Sequence, residues 1–177
     1  MVAPVRPTGT KAYLRKKVIF IPTGTYSQTA PSTALLVGAT ALDVTKMFFA
    51  SSAMPSQSTN MARSPKRIGD GETYEFVGES QVSLGEMRYS FNPQGAAASN
   101  EVKAYEKFVP GTTGFLVFRY GIDRDTDLAV GQFVTSYPCE CGPQLEVEEG
   151  DAEGAEMAIV QPFAQTGPKS IKIALLA

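Results

Sequence analysis

Turn-forming residues constrain this chain more than any other feature. Its 177 residues include 16 glycines and 12 prolines, about 16% of the chain against an average near 12%, which points to many turns between short elements. That favours an all-β protein. The length suits one domain, and a chain of this size can bury about 70% of its unfolded surface, enough for a core without staples. Hydrophobic residues at 43% and charged residues at 19% are ordinary for a globular fold, and they exclude a disordered or collagenous chain.

Several chemistries drop out on residue type alone. There is no histidine, so Ser-His, Cys-His and His-zinc arrangements are ruled out within one chain. The two cysteines form Cys139-Glu140-Cys141, too close in sequence for an ordinary structural disulfide across the fold. Such usage fits a chain folded in a reducing cytoplasm. Tetrahedral zinc normally needs four ligands, and two soft ones are present here, so Cys139 and Cys141 read as reduced thiols at a strand end. No metal or cofactor is expected. The longest apolar runs, such as Ile173 to Ala177, are about five residues, whereas crossing a bilayer takes about twenty. Lys16-Lys17 followed by Val18 to Ile21 and Pro22 falls short of a signal peptide's apolar core. The expectation is a chain with no membrane segment and no secretion signal.

The net charge of −2 conceals a division along the chain. Residues 1–67 hold nine basic residues and one acid, Asp43, whereas residues 125–168 hold nine acids and neither Lys nor Arg. Either the two regions neutralise each other within one monomer, or copies meet head to tail, basic end on acidic end. Heterologous contacts of the second kind build rings or filaments.

Along the chain, residues 1–16 contain Pro4, Pro7 and Gly9 with little periodicity and read as an extended arm. Residues 17–177 read as a single β domain. Val18 to Ile21 predicts a short strand, and Ala34 to Val44, interrupted by Gly38, predicts one bent strand or two short ones. Residues 47–71 show neither a helical nor a strand period, and a loop that long in a compact domain is usually functional. It carries Met47, Met54 and Met61, adaptable side chains suited to a partner surface, beside Arg63, Lys66 and Arg67. We therefore expect it to order on a neighbouring copy. Strand signals resume at Thr73 to Val77 and Gln81 to Phe91, with Gly78 and Gly85 as bulge or bend positions. One helix is predicted, about ten residues long, capped by Ser99 or Asn100 with Val102, Tyr105 and Val109 as its apolar stripe and Pro110-Gly111 as its end. Phe115 to Tyr120 is apolar on both faces and reads as a core strand covered on two sides. It forms a hairpin with Ala129 to Tyr137. Gln144 to Val147 and Glu156 to Phe163 bracket an acidic turn, and Ile171 to Leu176 closes the chain.

Binding and catalytic patterns are weak. Gly9-Thr10-Lys11 and Gly111-Thr112-Thr113-Gly114 lack the spacing that cradles a phosphate. The carboxylates of Glu146 to Glu156 cluster in a Gly-containing turn and read as a solvated tip, not as a glycosidase pair. With a pI near 5.2 and one compact basic cluster, Arg15-Lys16-Lys17, tight DNA binding through phosphates is not expected.

Taken in order, a strand-rich first half with a long central loop, one short helix, Pro110-Gly111-Thr112-Thr113-Gly114-Phe115-Leu116-Val117-Phe118-Arg119-Tyr120-Gly121, Ala129-Val130-Gly131-Gln132-Phe133 and Ile159-Val160-Gln161-Pro162-Phe163-Ala164 resembles the major tail tube proteins of long-tailed bacteriophages. The resemblance spans about residues 73–167. It implies a β-sandwich flanked by one helix, in a hexameric ring whose inner sheets join into a closed barrel, with rings stacked into a genome conduit. It implies no catalytic residues, a homo-oligomer that also meets other tail proteins at the tube ends, and DNA passing through the lumen without tight binding. The implied location is the virion tail, after synthesis in the host cytoplasm. On that reading Glu72, Glu75, Glu79 and Glu86 are candidate lumen acids, because a wall that lets DNA slide should be acidic or neutral. Candidate inter-ring contacts are Arg15, Lys16, Lys17, Met54, Met61, Arg63, Lys66 and Arg67 on the basic side and Glu148 and Glu149 on the acidic side. The alternative is a monomeric β-sandwich binding module, such as a receptor-binding or capsid-decorating domain.

Overall fold

Ten strands and two one-turn helices occupy the residues described by the computed structural model, 12–24, 26–50, 52, 54–69, 71–100, 102–150 and 152–177. In chain order they are β1 (Lys16–Pro22), α1 (Thr33–Val37), β2 (Leu42–Asp43), β3 (Ser56–Arg63), β4 (Glu75–Ser83), β5 (Glu86–Ser90), α2 (Lys103–Lys107), β6 (Thr113–Tyr120), β7 (Phe133–Cys141), β8 (Leu145–Glu149), β9 (Glu156–Gln165) and β10 (Ser170–Ala174).

β6 organises the first layer. It pairs antiparallel with β1 from Lys16 opposite Tyr120 to Pro22 opposite Gly114, and on its other edge with β7. β7 in turn shares its far edge between β10, near Phe133 to Ser136, and the end of β9, near Cys139 to Cys141. β9 begins between β5 and β8 and finishes beside β7, so one strand links a first layer, β2-β1-β6-β7, to a second layer, β5-β9-β8. The result is a sandwich-like all-β fold.

Successive side chains of a strand point to opposite faces, and both faces of the first layer are covered. On one side Val18, Phe20, Leu116, Phe118 and Cys139 pack towards Met87, Tyr89, Ile159 and Phe163 of the second layer. Phe108, just past α2, sits among them with ring centroids 4.9 Å from Phe20, 5.4 Å from Tyr89 and 5.2 Å from Phe163. On the other side Ile19, Ile21, Val117 and Val134 lie beneath Tyr26, Leu36 and Leu175. This explains why Phe115 to Tyr120 reads as apolar on both faces. Gly114 permits the close approach of β1, since a Cβ there would lie 2.6 Å from the Ile21 carbonyl oxygen and 2.7 Å from the Phe20 ring.

The structure corrects three sequence expectations. Ala34 to Val44 is not mainly strand: α1 takes its first part and β2 only Leu42–Asp43. Ala and Leu are strong helix formers, and one turn suffices to bury Leu36. Among the described residues there are therefore two short α-helices rather than one. The helix after Asn92 is five residues, not about ten, and its N-cap residue, Val102, makes no side-chain cap hydrogen bond. The Ser99 carbonyl instead accepts from the N–H groups of Val102 and Lys103. Its buried residues are Val102, Ala104 and Phe108 rather than the stripe Val102, Tyr105 and Val109. Phe108 leaves helical geometry at φ −92° and ψ 42°, which turns its ring into the core. Third, residues 47–71 are not devoid of regular structure, because β3 lies within them. Its sequence, Ser-Gln-Ser-Thr-Asn-Met-Ala-Arg, lacks the apolar alternation from which a half-buried strand is read.

Candidate assembly surface

β3 and β4 form a hairpin that projects from the sandwich. All of β3 is exposed, and so is β4 apart from half-buried Val82, which packs against the main core. The register runs from Ser56 opposite Ser83 to Arg63 opposite Glu75 and shifts between Thr59 and Met61, leaving Gly78 and Glu79 opposite Asn60. This is the bulge anticipated at Gly78, where a Cβ would lie 2.8 Å from the Asn60 carbonyl oxygen. Gly85, at φ +69°, makes the anticipated bend into β5. Cross-strand pairing puts Met61 and Val77 on one face beside the Arg63–Glu75 ion pair of 3.0 Å, and Phe76 on the other face with Ala62. Met61, Phe76, Val77 and Tyr74 are more than half exposed. A two-stranded hairpin by itself is marginal in water, and this one shows apolar side chains on both faces.

A second feature is a cleft of about 1020 Å³ between the start of β1 and the segment before β3. Tyr13, Leu14, Phe48, Met54 and Tyr120 give it apolar walls, and Arg15, Lys16, Lys46 and Arg124 give it positive charge. The N-terminal segment is held here by backbone bonds, from the Gly121 N–H to the Arg15 carbonyl and from the Arg124 N–H to the Leu14 carbonyl, both 2.9 Å. Lys16 Nζ reaches Met54 Sδ at 3.3 Å. Candidate contact residues from two separate parts of the sequence, Arg15 and Lys16 on one side and Met54 on the other, therefore meet at one site. Residues 1–11 of the expected arm lie outside the described residues.

The other candidates are distributed differently. Lys17 is 3.3 Å from Asp43. Met61 and Arg63 lie on the hairpin's first strand, and Lys66 and Arg67 are exposed in the loop that joins its two strands. Glu148 is exposed on β8, whereas Glu149 is half-buried and forms a 2.5 Å ion pair with Arg88. Among the lumen candidates, Glu72 lies in the hairpin loop, Glu75 and Glu79 lie on opposite faces of β4, and Glu86 sits on β5 opposite Pro162. All four are exposed.

Two buried polar devices that sequence reasoning missed hold the sandwich in shape. Arg119 is buried and donates to the carbonyl oxygens of Asp123 and Asp127 and to Gln132 Oε1, fastening the loop between β6 and β7. Burial lowers its pKa from the ordinary value, and Asp43, Asp123 and Asp127 oppose that shift. Gln161 Nε2 donates to the carbonyls of Phe108 and Gly142, each at 2.7 Å, and its Oε1 accepts from the Tyr89 hydroxyl. An arginine inside an otherwise apolar strand was the one available signal.

Cys139 and Cys141 are free, buried thiols at the end of β7. Burial pushes both up to about 12, with each other's charge adding for Cys139 and Glu140 adding for Cys141. At pH 8 their thiolate populations should fall about a thousandfold below those of ordinary cysteines, so alkylation of the native protein should be slower by a similar factor. Mass spectrometry after iodoacetamide treatment, with and without denaturant, checks this. Prompt labelling of the native chain would contradict the burial.

The fold is thus a sandwich with an outlying hairpin, and the family model described as phage tail tube protein matches residues 5–175. The chain belongs to the phage tail tube protein family. No curated protein matches it. As a tail tube protein it is a structural component of the virion tail that assembles with itself and with other tail proteins. Among the described residues no helix is long and apolar enough to cross a membrane.

Proposed function

We propose that copies of this chain close into hexameric rings that stack into a tube, and that the tube is the conduit for genome delivery. The observation that carries this reading is the β3–β4 hairpin, whose apolar side chains on both faces need neighbours that a monomer does not supply. Sheet edges add support. The first layer ends in a two-residue strand, β2, on one side and in β10, which has a strand partner on one side, on the other. Closing such edges against neighbours removes a template for uncontrolled pairing. The ring therefore joins first layers into a barrel, and the hairpin, with Met61, Arg63, Lys66 and Arg67, reaches the adjacent ring.

Negative-stain imaging and solution mass test the proposal together. Tubes with a regular axial repeat, or rings of six subunits, are expected. A protein that stays monomeric at every concentration would instead favour the binding-module reading. A reconstruction of the tube also tests the acidic lumen: at least two of Glu72, Glu75, Glu79 and Glu86 should face the channel. Their exposure and the lack of Lys or Arg from Gly71 to Glu86 motivate this, although Arg63 neutralises Glu75. All four pointing away from the channel would overturn the assignment.

A further inference from the structure

The cleft at the start of β1 is built for an acidic, partly apolar segment, and such a segment exists elsewhere on the same molecule. Among the described residues its lining holds Arg15, Lys16, Lys46 and Arg124 and no acidic side chain. Asp125 lies behind it, 2.9 Å from Lys46 and 3.7 Å from the Nε of Arg124, and offsets one of these charges. That Nε is sealed from solvent without a hydrogen-bond acceptor. The apolar walls would leave a cleft of about 1020 Å³ as exposed hydrophobic surface on a free subunit, which marks interaction sites. The turn between β8 and β9 has the complementary character. Glu146 and Glu148 on β8, Glu153 in the turn and Glu156 at the start of β9 are exposed, and Met157, which pairs with Glu148 and shares its face, adds exposed apolar surface. Glu149 is held back by Arg88, which braces the turn against the second layer.

Resting on the tube reading above, we propose that the basic cleft of one subunit receives the acidic β8–β9 turn of a second copy. Arg15, Lys46 and Arg124 meet the exposed glutamates, and Met157, beside Glu148, covers the aromatic walls. The contact is heterologous, two different patches meeting, so it repeats from copy to copy and gives the assembly a direction. It unites the basic front and acidic back of the sequence across a subunit boundary, with charge complementarity setting register.

The test uses the full chain. Variants Met54→Cys and Glu153→Cys, made separately and mixed during assembly, should give a disulfide-linked heterodimer under mild oxidation. The native thiols are buried and add little background. The Met54→Cys thiol should alkylate readily in the monomer and become protected in tubes. Arg15→Glu and Glu148→Lys should each raise the concentration needed for assembly about tenfold or more, and the two together should recover much of the loss. Raising salt should weaken wild-type assembly, since exposed charges are screened beyond about 8 Å at physiological ionic strength. Wild-type tubes with no heterodimer, or with charge variants of normal yield, overturn the cleft contact and leave the tube reading standing. A Met54→Cys thiol equally protected in monomer and tube means that the cleft is already covered in the free subunit, and this also overturns the contact. A wild-type chain that never assembles overturns both.

Discussion

Placing aspartate at both Met61 and Val77 is expected to abolish tube formation while leaving the subunit folded. These two side chains share one face of the hairpin and are more than half exposed. Neither belongs to a core cluster, so their replacement should change the unfolding free energy by about 0.5 kcal/mol or less. In the proposed assembly the same positions lie against a neighbour, where an unpaired carboxylate loses its hydration at a cost of several kcal/mol. That cost recurs at every subunit, which is why loss of polymer rather than a modest weakening is expected. Sedimentation velocity and negative-stain imaging read assembly, and denaturant unfolding of the dissociated subunit reads stability. Phe76→Asp probes the opposite face and should act in the same direction if both faces are covered. Normal tubes from the Met61 and Val77 double variant would show that the hairpin is not an assembly surface.

The opposite pattern is expected from Phe108→Ala, which should destabilise the subunit itself by about 3–5 kcal/mol. Phe108 is fully buried and touches aromatic rings from four separate parts of the chain: Phe20 on β1, Phe48 before β3, Tyr89 on β5 and Phe163 on β9. Its carbonyl oxygen also accepts from Gln161 Nε2. Removing the ring leaves a void where both layers and the α2 segment meet, and side chains fixed from several elements collapse into it poorly. For a domain of this size each kcal/mol lowers the melting temperature by about 2–4 °C, so a fall of roughly 10 °C is expected. Tyr105→Ala provides the contrast. Its ring lies tilted against Phe91, with centroids 4.7 Å apart, but is partly exposed, and its loss should cost well under half as much. Similar losses for the two variants would mean that the core is not centred on Phe108.

The legible parts of the fold were those in which local chemistry and tertiary position agree. Phe115 to Tyr120 is apolar on both faces because both faces are covered. Gly78 and Gly85 mark a bulge and a bend because backbone geometry there excludes a Cβ or needs positive φ. The hairpin strand β3 was illegible for the converse reason. A strand exposed on both faces within the subunit has no buried side to impose alternation, so its sequence looks like a loop. The α2 stripe was misread because Phe108 reaches the core after the helix has ended, and helical spacing does not describe its direction.

Residue content alone determined that this chain is turn-rich and mostly β. It removed histidine chemistry, set a basic front against an acidic back, and carried the likeness to tail tube proteins. Tertiary structure decided which of those charges act together. Arg15 and Lys16 share a cleft with Met54, Lys46 and Arg124, residues 30 or more positions away in the chain, while Lys17, their immediate neighbour, turns to Asp43. Glu149 is held by Arg88, while Glu148 beside it stays exposed. Alternation along a strand sends adjacent residues to opposite faces, so a run of like charges in the sequence becomes two different environments once the sheet forms. Only the fold of the sheet settles which member of each pair can meet a second copy.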